Sequence, residues 1–160
     1  MDDTALRQHL IDSLSGRRAH AGLEAAVGGL PAALRGRRGE GLAHTPWQLL
    51  EHLRIAQWDI LEFCRGSDHV SPAWPEGYWP AEEAPPEEAA WEDSVAAFRR
   101  DLRRMCDLVA DPGTDLLAPI PWGGSHTVLE QTLILVNHNA YHVGQLVSLR
   151  RLLGAWPPAS

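Results

Sequence analysis

Apolar residues recur at three- and four-residue intervals in four long stretches of this chain, and no stretch of useful length alternates as a half-buried strand must. That pattern commits the chain to helices laid against one another. The first stretch, residues 4–14, places Leu6, Leu10, Ile11 and Leu14 on one side, with Asp2, Asp3 and Thr4 ahead of it as capping residues. A shorter helical segment is expected over 22–34, weakened by Gly28, Gly29 and Pro31. The second long helix, 45–64, has a sharp start: Thr45 as N-cap, Pro46 in the first helical position, and Gln48 placed to complete a capping box. Its inward stripe is Leu49, His52, Leu53, Ala56, Ile60 and Phe63.

A third long helix is expected over 91–109, with Trp91, Val95, Phe98, Leu102, Met105 and Leu108 or Val109 inward and Arg99, Arg100, Arg103 and Arg104 on its wet side. A fourth spans 127–153. Thr127 and Glu130 form a second capping box, Gly154 supplies the stop, and Arg150 and Arg151 sit in the last turn, where positive charge suits the helix dipole. Its inward stripe runs through Leu135, His138, His142, Leu146 or Gln145, and Leu149. Four principal helices in 160 residues predict one all-α domain over 1–160, a four-helix bundle. Between its second and third main helices lies a long loop, 67–90, rich in proline and tryptophan. A loop of that length is uncommon in a compact domain and is expected either to form a lid over a metal site or merely to cover exposed core.

Composition removes several functions. A net charge of −7 argues against nucleic acid as a partner, since phosphate binding needs a basic face. All 14 basic residues are Arg, so Schiff-base chemistry and the phosphate-loop lysine are both excluded. Cys64 and Cys106 form no close pair and sit in no nucleophile motif, and no GxSxG elbow occurs. No basic and apolar leader opens the sequence and no apolar run approaches a membrane span, so a cytoplasmic protein without membrane attachment is expected.

His138 and His142 are four residues apart and therefore stack on one helix face, while His52 lies on or beside the inward stripe of another helix. Imidazoles buried in an apolar stripe need partners for both ring nitrogens, and a shared divalent cation is one solution. Neutral imidazole suits zinc, nickel, iron or copper, and three such ligands leave a coordination position open for substrate or water. His9, His44, His69 and His126 are weaker candidates, His9 and His69 being expected at the surface; His20, after a helix break, is the best extra ligand. Gln48, Asp59 and Gln145 are spaced to orient the rings, and Asp59 alternatively serves as a general base. Ordinary imidazoles would release the metal as pH falls below about 6.

The run Thr45-Pro46-Trp47-Gln48-Leu49-Leu50-Glu51-His52-Leu53, the acidic and tryptophan-rich middle, and His138-Asn139-Ala140-Tyr141-His142-Val143-Gly144-Gln145-Leu146 together resemble the DinB-like superfamily of metal-binding four-helix bundles. YfiT-like metal hydrolases and thiol-dependent transferases are also grouped there. The resemblance covers nearly the whole chain. It implies a metal triad at His52, His138 and His142, a divalent ion at the end of the bundle (zinc or nickel foremost, iron or manganese as further options) and a homodimer.

By the same resemblance the ion ionises a small thiol such as bacillithiol or mycothiol, which attacks an electrophile. The expected function is thus a metal-dependent transferase acting on a small molecule with a low-molecular-weight thiol. A hydrolase using water at the metal, and a non-catalytic metal- or ligand-binding bundle, are the alternatives.

Overall fold

Thr45 starts the helix around which the others pack. Its hydroxyl accepts from the Gln48 amide at 3.2 Å while Gln48 Oε1 accepts from the Thr45 amide at 3.2 Å, so the expected capping box is complete. The computed structural model describes residues 3–16 and 19–158. Its helices are α1 (Thr4–Leu14), α2 (Leu23–Val27), α3 (Pro46–Arg65), α4 (Ala90–Ala110) and α5 (Val128–Leu152), and the described residues contain no strand. None of these helices is long and apolar enough to cross a membrane. α3 packs on α4 and α5, and α1 packs on the same two, so four helices ring a shared interior and the protein is an all-α bundle.

The segment 22–34 is not one helix. α2 ends at Val27, Gly29 turns the chain with a φ of 62°, and a separate 3-10 turn follows at Ala32–Leu34. Asp3 occupies the N-cap of α1 without capping it; its carboxylate instead accepts from Arg7 Nε at 2.9 Å. Asp2 lies outside the described residues. At α5 only half of the second capping box forms, because Thr127 accepts the Glu130 amide at 3.1 Å while the Glu130 carboxylate pairs with His126 Nδ1 at 2.9 Å.

The interior divides into two apolar clusters. One joins Leu50, Leu53, Trp91, Val95, Phe98, Leu146 and Leu149 with α2; the other joins Leu10, Leu14, Leu61, Met105, Val109 and Leu135. Because α3 contributes early residues and α5 late residues to the first cluster, and the reverse to the second, the two helices run antiparallel. α3 buries more than the predicted stripe: Leu50, Gln57, Leu61 and Cys64 are inside, whereas Ile60 and Phe63 are only half-buried. A helix facing two neighbours and a loop has little wet face left.

Two arginines join elements end to end. Arg7 donates to the carbonyls of Val109, Asp111 and Thr114 at 2.7, 2.9 and 2.8 Å, closing the C-terminus of α4. Arg150 is no surface dipole partner. It is 1 % exposed and donates to the carbonyls of Ala25, Ala26, Gly28 and Ala155 at 2.8–3.1 Å, tying α2 and the segment after α5 to the body. Arg99, Arg100 and Arg104 of the expected wet face pair with Glu24, Asp101 and Glu62. Arg150→Leu strands several buried carbonyls and is expected to cost about 3 kcal/mol, read as a shift in a urea unfolding midpoint; Arg103→Leu, on the wet face, should leave the midpoint within about 0.5 kcal/mol of wild type.

Candidate metal centre

Between the two apolar clusters, at the seam of α3 and α5, the helices turn polar side chains toward each other. Stripe spacing brings His52 from α3 against His138 and His142 from α5, and the three offer ring nitrogens that all lie within 4.8 Å of one another. His52 Nε2 and His138 Nε2 are 3.0 Å apart. Among the described residues this is the one such group of histidine, cysteine or carboxylate side chains. It sits partway along the bundle and not at its end, because His52 lies two turns into a long helix and the pair on α5 falls near that helix's middle.

The outward nitrogens decide what the inward ones can do. His52 Nδ1 lies 3.0 Å from the Tyr78 carbonyl, which can only accept, so Nδ1 carries the proton. His142 Nδ1 is likewise 2.7 Å from Gln145 Oε1. For His138 the assignment follows from a chain of bonds that starts at a backbone carbonyl. Phe98 O accepts Gln57 Nε2 at 2.7 Å; Gln57 Oε1 then accepts Asn139 Nδ2 at 3.1 Å; Asn139 Oδ1 is left facing His138 Nδ1 at 3.4 Å. All three rings therefore direct an unprotonated Nε2 inward. Three lone pairs converging in a buried space repel one another unless a cation lies among them, and nitrogens sharing one zinc are roughly 3.3 Å apart. The donor set fits a divalent ion.

Burial pushes the His52 and His142 imidazoles down to about 4, helped by the neighbouring rings, and lowers His138 as well. The His52 and His142 nitrogens thus stay bare well below the pH of about 6 at which ordinary imidazoles would protonate.

Aromatic residues of the loop 67–90 hold the site from outside. The Trp79 ring lies 3.8 Å from the His52 ring and 3.8 Å from the His44 ring, near-parallel to both, so the indole is sandwiched between them. The 3-10 turn Glu76–Tyr78 brings the Tyr78 carbonyl to His52, and the Tyr78 hydroxyl donates to Asp59 Oδ2 at 2.5 Å. A cavity of about 300 Å³ opens beside the imidazoles, lined also by Asp59, Trp74 and Tyr78.

Several sequence expectations change here. His69 is not a free surface residue: its Nε2 meets Asp59 Oδ1 at 2.7 Å and its side chain is 10 % exposed. Asp59 touches no imidazole of the triad and acts on His52 only through Tyr78. Gln48 is occupied by the capping box and by the Pro80 carbonyl at 3.4 Å, leaving Gln145 as the one predicted orienting residue in direct contact with a ring. His20 is exposed, bonds the carbonyl of Ala21 at 2.9 Å and is not in the group. Sequence reasoning passed over Gln57, Asn139 and the Tyr78 carbonyl. Asn139 beside His138, and a glutamine on the buried side of α3, were the available signals; a backbone carbonyl leaves none. Cys64 and Cys106 stand apart, with burial raising their thiols to about 12 and about 11.

A family model described as the DinB superfamily matches residues 16–146, more than half of the chain, and the protein belongs to that superfamily. Comparisons with curated proteins and with solved structures returned no match.

His52 and His142 have folded values below the ordinary imidazole value of 6.5, so the unfolded chain takes up protons first as pH falls. Their stabilising contribution is full above pH 6.5 and is lost progressively toward pH 4. Melting curves in chelator should therefore show metal-free wild type losing more of its Tm between neutral pH and the lower end of that window than the His52→Gln/His142→Gln variant does. Equal losses would mean that the rings are not held neutral.

Proposed function

For this member of the DinB superfamily, we propose a metal-dependent enzyme that transfers a small thiol to an electrophilic organic substrate, with His52, His138 and His142 holding the divalent ion. The observation that carries it is the convergence of three imidazoles whose ligand nitrogens lie within 4.8 Å of one another, each with an oxygen beside its Nδ1. A nitrogen set of this kind suits zinc or nickel, with iron or manganese as further occupants. When bound, such an ion lowers the pKa of a thiol or water that joins it.

The chain's own groups do the rest. Tyr78, Gln145 and Asn139 hold the Nδ1 protons and thereby the ring orientations. Trp79 shields one face of His52 from water. Among the described residues no serine, threonine or cysteine lines the cavity, which favours a nucleophile supplied from outside the chain. Ala56, Ile60, Trp74 and Tyr78 give the cavity an apolar wall suited to an organic group, which favours a thiol with its own carbon skeleton. Water as the nucleophile is the hydrolytic alternative, and the superfamily resemblance is what puts the thiol ahead of it.

Protein made without a histidine tag should carry a divalent metal by elemental analysis, and His138→Ala and His142→Ala should each lose it while remaining helical by circular dichroism. Metal retained in both variants would dismiss the triad. Metal-loaded protein incubated with an alkylating or epoxide electrophile is expected to turn over only when a low-molecular-weight thiol is supplied; turnover in its absence would assign hydrolysis.

A further inference from the structure

The cavity beside the imidazoles holds a feature that metal binding does not use. Trp74 is 71 % exposed at its rim, and its ring lies 5.4 Å from the Tyr78 ring at 59°, so the two form an open corner. Asp59 lines the same cavity with a side chain only 12 % exposed. Its carboxylate accepts one bond from Tyr78 and meets His69 Nε2 at 2.7 Å, which leaves further lone pairs for a ligand. Donation from the Tyr78 hydroxyl to a carboxylate also enriches the phenol ring in electron density. Among the described residues no arginine lines the cavity, and Asp59 is the one carboxylate that does.

Two aromatic faces meeting at a corner backed by a carboxylate make the arrangement that attracts an alkylammonium group, whose charge is weakly hydrated and whose methyl or methylene groups cover the rings. An anionic group at this corner would meet the Asp59 carboxylate at like charge, whereas the divalent ion acts on the end of the molecule that reaches the imidazoles. We propose that the small molecule entering this cavity is an organic cation, an ammonium or quaternary ammonium compound, with its charge against Asp59, Trp74 and Tyr78 and its reactive end toward the three imidazoles. The proposal rests on the reading of those imidazoles as a metal centre.

The test uses the full chain loaded with cobalt(II), whose visible bands report the metal centre by themselves. Three thiols with one common two-carbon stem are titrated by the sulfur-to-cobalt charge-transfer band: thiocholine, its uncharged isostere with carbon in place of nitrogen, and mercaptoethanesulfonate. A quaternary nitrogen acidifies its own thiol, so the quantity read is the thiocholine-to-isostere affinity ratio in wild type divided by that in Asp59→Asn. About a tenfold quotient is expected, with the sulfonate weakest. Tyr78→Phe, which keeps both ring and carboxylate, should largely retain the wild-type ratio, and Trp74→Leu, at an exposed position, should lower it.

Intact cobalt bands with a quotient near unity, or with the sulfonate preferred, overturn the cation site and leave the metal centre standing. Should cobalt fail to load, the metal reading fails. Choline titrated into the metal-free protein by tryptophan fluorescence then decides the cation site: saturation lost in Asp59→Asn supports it, and no saturation in wild type overturns it.

Discussion

Protons on the outward nitrogens of His52, His138 and His142 are the constraint on which the rest of the site depends. A histidine ring presents a donor on one side and an acceptor on the other, and whichever partner claims the outer nitrogen fixes the inner one. Here the partners are a backbone carbonyl, a glutamine oxygen, and an asparagine oxygen whose orientation is dictated two hydrogen bonds away by the carbonyl of Phe98. The bundle thus specifies where lone pairs point as well as where rings sit. Metal affinity depends on both, since a correctly placed ring of the wrong tautomer offers a proton where a cation must go.

That specification explains the position of the polar layer. A buried glutamine and a half-buried asparagine would each cost free energy if unsatisfied, and a site at the end of a bundle would leave them to water. Set between two apolar clusters, Gln57 is fully buried and satisfied at both ends of its amide. The clusters on either side hold α3 and α5 at fixed separation, so the polar layer need not supply its own stability. The loop 67–90 completes the enclosure through Trp79, held between His44 and His52, and through Tyr78, whose two ends reach His52 and Asp59. Such a loop is long because it has to carry aromatic groups from the end of α3 back along that helix's side.

Helix existence and the triad were legible in the sequence because both follow from periodicity. Thr45-Pro46 and Thr127 fix helix starts through local chemistry, and spacing of four residues places His138 above His142 whatever the tertiary context. What escaped depends on contacts distant in the chain. His69 looked like a surface residue because its partner, Asp59, lies on the preceding helix ten residues earlier and is met only after the chain reverses. Arg150 looked like a dipole partner because a last-turn arginine usually is one; its burial requires α2 to present three carbonyls to it. The break at Gly28 and Gly29 was visible as weakness in a helix, yet its purpose, exposing those carbonyls, was not.

Without a cation, three inward lone pairs and depressed basicity leave the centre of this protein destabilised relative to an apolar core of the same shape. The two clusters that flank the triad and the arginine ties at Arg7 and Arg150 have to outweigh that cost. The scaffold can fold around the repulsion and keep the rings arranged in advance, so that an arriving ion meets ligands already oriented and deprotonated.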